Sequence, residues 1–150
     1  MICEYRGVDP HKMINGRKRQ FLVDTGGRLW AAHVHAANEG DGPAAEPLVS
    51  DILWYGERAE IVFGDGAYGG VFAAELAAWG IDLERGSRPE STRGFVPTTK
   101  RWVVERSIAW TNFFRRIVKE YEYTSSSSVA WLLLANSQIM LQHIDNQCKI

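Results

Sequence analysis

The sequence predicts an α/β domain, a mixed sheet with helices on its faces, from three observations. Two apolar stretches, residues 16–25 and 28–36, are joined by Gly26-Gly27 and read as an antiparallel hairpin. After them, short apolar runs alternate with segments of helical spacing, as β-α units do. The chain has 150 residues, 45% hydrophobic and 23% charged, enough for one globular domain spanning 1–150 with no internal repeat or linker.

The elements follow in order. GRKRQFLVDT (16–25) is a strand entered through a basic run, and RLWAAHVHA (28–36) is its return. ANEGDGP (37–43) has loop composition. AAEPLVSDILWY (44–55) places Leu48, Ile52 and Tyr55 on one side of a helix. Pro47 is tolerated only in a first turn, so that helix begins near Ala45. EIVFGD (60–65) is a continuous apolar run, expected as a strand covered on both faces. GAYGG (66–70) opens a helix, VFAAELAAWG (71–80), that Gly80 stops, and IDLERG (81–86) is a further strand. SRPESTRGFVPTT (87–99) is a polar loop. One long helix is expected from about Lys100 to Tyr121, and a last one over 129–144, with Ser125–Ser128 as a loop and N-cap before it.

The net charge of −1 hides a block pattern. Residues 6–19 carry five basic side chains and one acid; residues 20–84 carry two basic and eleven acidic; residues 85–119 carry nine basic and only Glu90 and Glu105 as acids. An acidic centre between basic segments suits divalent metal held between surfaces that grip a polyanion, and equally suits plain solvated faces. No apolar run approaches the length of about 18 residues that reads as a membrane span. The opening MICEYRGVDPHKM lacks the apolar core of a secretory signal, so a cytoplasmic location with Cys3 and Cys148 reduced is expected.

Asp65 stands where a strand runs into GDGAYGG, rigidly placed yet open to solvent, as a metal ligand must be; a simple Asp turn or a phosphate-cradling loop are the alternatives. Tyr68 just beyond it either positions a flanking nucleotide or packs under the loop. On a helical projection of 101–121, Glu105 is the one acid in a stripe with Arg101, Asn112, Arg115, Arg116 and Lys119. A carboxylate so placed coordinates a metal while its neighbours hold phosphates, or it pairs with Arg101 one turn away. Arg106 falls toward the apolar side, to snorkel or to reach over the helix edge to a partner. Asp24 before Thr25-Gly26-Gly27 reads as a turn former. His33 and His35 alternate toward one face and read as satisfied sheet histidines. The Leu-rich segment 131–141 reads as core.

NGRKRQFLVDTGGRLW, FGDGAYGG and KRWVVERSIAW, in that order, resemble three successive blocks of bacterial insertion-sequence transposases of the DDE type, over about Gly7 to Ile144. The resemblance implies a ribonuclease H-like fold and a three-carboxylate site binding two Mg²⁺ ions, with Mn²⁺ able to substitute. On the matching motifs, Asp65 is the second catalytic Asp and Glu105 the catalytic Glu. Arg17, Lys18, Arg19, Arg101, Arg106, Arg115 and Arg116 would contact DNA phosphates. A related pattern of Tyr, Arg, Glu and Lys is met here by Arg101 and Glu105, with Thr98 and Asn112 in the other two places.

The family's first Asp lies on a strand before the basic block, and nothing in residues 1–13 matches it. The expectation is therefore a C-terminal transposase part lacking its first, central strand, poorly stable and inactive alone. DNA, an upstream N-terminal part and further copies of the chain are the expected partners. A non-catalytic DNA-binding or assembly module and an inert truncated remnant stay open as alternatives.

Overall fold

A computed structural model describes residues 4–56, 58–86 and 101–148, the side chain of Arg101 excepted. The polar loop 87–99, with Thr98, and Cys3 lie outside the described residues. The strands are β1 (Gly7–Val8), β2 (Asn15–Val23), β3 (Leu29–Ala36), β4 (Ile61–Gly64) and β5 (Asp82–Arg85). The helices are α1 (Glu46–Tyr55, after a 3-10 turn Pro43–Ala45), α2 (Val71–Ala78), α3 (Arg101–Thr111), α4 (Arg115–Val118) and α5 (Ser125–Gln147).

The hairpin forms where the sequence places it. Asp24 builds its turn: Oδ1 accepts the amides of Gly26 and Arg28, each at 2.9 Å, and Oδ2 accepts Arg28 Nε at 2.6 Å. An Asp side chain can cap two amides of its own turn in this way, so the chain reverses without leaving donors unpaired. β1 is an addition to the expected order. It pairs antiparallel with the start of β2, Gly7 opposite Gly16, across a loop shaped by Asp9, whose Oδ1 accepts the amides of His11 and Lys12.

The mixed α/β arrangement with flanking helices is as expected, and among the described residues its strands form two sheets. β1-β2-β3 is antiparallel and β4-β5 is parallel. Yet the two share a core. Ala31 from β3, Leu48, Val49 and Ile52 from α1, and Phe72 and Leu76 from α2 pack together, with Leu22 of β2, Val62 of β4 and Leu83 of β5 against them. Helices α1 and α2 thus roof both sheets, as βα connections do. The apolar run of β4 is only half-buried and Ile61 is exposed, so the expected cover on both faces is not found. The roof covers one face, and β5 is the strand that pairs with β4.

The opposite face of the hairpin packs on the C-terminal helices. Leu29 and Val34 meet Ile117, Leu132 and Ala135. Buried Asn136 accepts the Leu29 amide through Oδ1 and donates through Nδ2 to the Leu29 carbonyl, both at 3.2 Å. This satisfies both backbone groups of one residue and fixes α5 on the start of β3.

The long helix expected over 100–121 is broken. α3 ends at Thr111, and Phe114 is extended (φ −91°, ψ 109°) before the single turn of α4. The break turns Phe114 and Ile117 into the core with α5. It also divides the cationic stripe, so Glu105 and Arg115–Arg116 do not share one continuous helix face. α5 starts earlier than expected: Thr124 is the cap, its side chain accepting the Ser127 amide, and Ser125–Ser128 form the first turn. Leu132 and Ala135 are core, whereas Leu134 and Leu141 are exposed, so only one side of the 131–141 segment is core.

Glu120 links this C-terminal segment to β2. Its carboxylate accepts from Ser128 Oγ at 2.5 Å and the Glu122 amide at 3.1 Å, and lies 3.3 Å from Arg19. Burial works to raise its pKa, but Ser128, the Glu122 amide and Arg19 together outweigh burial and hold it below its ordinary 4.5. A carboxylate with a lowered folded pKa contributes stability above its unfolded pKa, and that stability is lost as pH falls through the folded value. The midpoint urea concentration is therefore expected to fall between about pH 6 and about pH 3, and Glu120→Gln is expected to flatten part of that fall.

Candidate functional site

Asp65 follows β4 directly, at the tip of the strand. Its Oδ1 accepts the Ala67 amide at 2.8 Å and its carbonyl accepts the Tyr68 amide at 3.2 Å, so the loop folds back on the carboxylate and fixes its direction. Tyr68 packs under the loop: its ring lies against Phe72 (5.6 Å between centroids) and beneath Gly64. Burial first, then the charges of Asp41 and Asp65, push its pKa up to about 12. The phenol is therefore neutral across the physiological range and serves as a support for the loop that carries Asp65.

Sequence reasoning missed Asp41. It approaches this loop because Gly42 meets Ala67: a Cβ on Gly42 would stand 2.5 Å from the Ala67 carbonyl oxygen. Only a glycine permits that approach. Arg85, at the end of β5, also reaches this loop, its guanidinium 3.2 Å from where a Gly69 Cβ would be. No residue spacing in the sequence signals either neighbour.

Glu105 is exposed on α3. The next two residues hold that helix on the β2–β3 turn. Arg106 donates to the Gly26 carbonyl at 2.8 Å, and buried Ser107 donates through Oγ to the Gly27 carbonyl at 2.7 Å. Asp65 thus rides on the two-stranded sheet, and Glu105 on a helix anchored to the three-stranded one.

Asp and Glu oxygens are the hard donors that Mg²⁺ or Mn²⁺ takes. In kind they fit the metal; in number they fall short. Among the described residues no group of three His, Cys, Asp or Glu side chains is placed to hold a metal ion. His33 and His35 do not supply one either. They stack at 5.7 Å, and their Nδ1 atoms bond the carbonyls of Ala44 and Ala36.

The basic run of β2 lies differently from the expected phosphate-binding cluster. Strand alternation sends Arg17 and Arg19 to one face and Lys18 to the other. The Arg17 side chain is 1% exposed. Its Nε donates to the Glu4 carbonyl at 2.8 Å, and Nη1 to those of Glu122 (3.1 Å) and Thr124 (3.3 Å), with Nη2 on Glu4 and Tyr123. Arg19 donates to the Ile117 carbonyl at 2.8 Å. Lys18 donates to the Glu39 carbonyl at 2.9 Å and pairs with Asp41 at 3.2 Å. These contacts join β2 to the 117–124 segment and to the 39–41 loop. Arg115 is exposed; Arg116 is also exposed, pairing with Glu122 at 2.8 Å over the Trp131 ring.

The fold is thus a mixed α/β domain that carries one carboxylate at a strand tip and another on a helix packed against the second sheet. It belongs to the transposase DDE domain family, whose model matches residues 2–139. No curated protein and no solved structure matches it. Transposases of this family act on DNA and use divalent metal ions. No described helix is long and apolar enough to cross a membrane.

Proposed function

We propose that this chain is the C-terminal part of an insertion-sequence transposase whose site is completed by one more strand lying between its two sheets. The supporting observation is that β2 and β4 contribute to one core under α1 and α2 while belonging to separate sheets. A strand inserted there would pair with β4 and with the length of β2 beyond Asn15 and Gly16, the two residues that β1 takes up, and would bring a third carboxylate between Asp65 and Glu105. The intact assembly would cleave and join DNA strands.

Asp65 and Glu105 would hold Mg²⁺ or Mn²⁺, which when bound stabilises the charge of an in-line displacement at phosphorus. The other roles belong to this chain's own residues. The Ala67 amide fixes the Asp65 carboxylate, and Tyr68 holds the loop from below. Arg101 and Arg115 would contact phosphates and give binding that weakens with salt, whereas the Arg116 fork is held by Glu122 through Nε at 2.9 Å and Nη2 at 2.8 Å. Arg17 and Arg19 would act instead by pinning β2 to the C-terminal segment.

A nicking assay tests this reading. The chain is produced joined to the coding segment upstream of it and given insertion-end DNA with and without Mg²⁺. Metal-dependent nicking is expected, with Asp65→Asn and Glu105→Gln each abolishing it and leaving DNA binding in place. Nicking that survives both substitutions would refute the assignment. A non-catalytic DNA-binding or assembly role is the second reading. DNA binding with no nicking by the joined protein would establish it.

A further inference from the structure

We infer that Arg106 is a positioning residue for Glu105 and makes no phosphate contact, an inference that rests on the reading of Glu105 above. Three observations converge on it. Trp102 and Trp110 stand one turn before and one turn after Arg106 on α3, and their rings lie 4.5 Å and 4.7 Å from its guanidinium carbon. A guanidinium flanked by two indoles has its faces taken up by cation–π contact and its rotamer fixed.

The orientation so fixed aims one Nη at the Gly26 carbonyl, 2.8 Å away, across the helix edge, and leaves Nε buried. The receiving turn is built to accept this approach. Gly27 has φ +83°, and a Cβ there would stand 2.9 Å from both the Arg106 Nη2 and the Ser107 Oγ. Ser107 adds its own bond to the Gly27 carbonyl from the buried side. The helix is therefore clamped at two consecutive residues to one turn, immediately after Glu105. Rotation of α3 about its axis, the motion that would swing Glu105 away, breaks both bonds together.

Trp102 and Trp110 fall at i−4 and i+4 from Arg106, so W-x₃-R-x₃-W is itself a helical clamp pattern. A phosphate-binding Arg needs its fork free for bidentate bonding. Here one arm of the fork is bonded to the turn and the base of the fork is buried.

The test uses the chain joined to the coding segment upstream of it, with its Arg106→Lys, Arg106→Ala, Gly27→Ala and Glu105→Gln variants, each checked for folding by circular dichroism. Three quantities are measured: the ring-current shift of the Arg106 side-chain protons by NMR, Mn²⁺ affinity by electron paramagnetic resonance, and the salt dependence of DNA binding. In the unsubstituted chain the Arg106 protons are expected upfield. Arg106→Lys keeps the charge but loses the planar fork and is expected to lower Mn²⁺ affinity about 10-fold or more, the range for groups that orient metal ligands. Gly27→Ala, which keeps Arg106 and displaces the turn, is expected to do the same.

The slope of log affinity against log salt is expected to be unchanged in both Arg106 variants. A slope reduced by about one in Arg106→Ala would make Arg106 a phosphate contact and overturn the inference. So would unshifted Arg106 protons, or Mn²⁺ affinity lowered by Glu105→Gln and untouched by Arg106→Lys and Gly27→Ala. Mn²⁺ affinity unchanged by Glu105→Gln itself would instead overturn the reading of Glu105, and with it the purpose assigned to the clamp.

Discussion

Replacing Arg17 with alanine is expected to destabilise the fold by about 3 kcal/mol, the upper range for leaving buried polar groups without partners. The guanidinium reaches the carbonyls of Glu4, Glu122, Tyr123 and Thr124 in a side chain that is 1% exposed. Alanine leaves those carbonyls to be resatisfied by water entering a cavity between β2 and the segment before α5. Arg17→Lys keeps the charge but replaces a five-donor fork with a single ammonium, so it is expected to recover only part of the loss. Arg115→Ala, at an exposed position, is expected to change stability by less than about 0.5 kcal/mol. Urea denaturation at neutral pH separates these cases. A cost for Arg17→Ala as small as that for Arg115→Ala would show that the internal bonds of Arg17 are not maintained in solution.

Leu76→Ala is expected to cost about 2–5 kcal/mol, the range for truncating a fully buried leucine. Leu76 is 0% exposed and sits where α2 meets α1 and the strands of both sheets. Its carbonyl also accepts the amides of Trp79 and Ile81, each at 3.0 Å, where the chain leaves α2 for β5. The loss should be local before it is global. Amides of β4 and β5 are expected to exchange with solvent faster by the full destabilisation. Those of the β2–β3 ladder, also held by the second core around Leu132, should lose less protection. Equal loss across all strands would show the two cores to be one cooperative unit.

What the sequence revealed was set by local chemistry. Gly26-Gly27 with Asp24 marks the hairpin because a tight reversal needs those residue types there. Pro47 fixes where α1 can begin, and Gly80, at φ +74°, ends α2. Asp65 was legible for the same reason: a short apolar strand that runs into a glycine-rich loop leaves a carboxylate at its tip. Arg106 was half-legible, since the helical projection sends it over the helix edge without naming the turn it meets.

The misreadings were tertiary. Periodicity carries one helix through 112–114, but burial of Phe114 and Ile117 against α5 outweighs the continuity of that helix. Three adjacent basic residues resemble a phosphate-binding cluster until strand alternation divides them, Arg17 and Arg19 toward Glu120 and Lys18 toward Asp41. The approach of Asp41 to the Asp65 loop depends on a glycine contact between distant segments, which no residue spacing encodes.

The claim on which this account turns is that Asp65 and Glu105 share one divalent ion. Paramagnetic line broadening by Mn²⁺ tests it without requiring catalysis. In the isotope-labelled chain joined to its upstream segment, the amide signals of Gly66 and Ala67 and those of Glu105 and Arg106 are expected to broaden together, at the same low Mn²⁺ concentration. Asp65→Asn is expected to abolish the effect at both places. Broadening confined to one of the two, or persisting beside Glu105 when Asp65 is replaced, would contradict it.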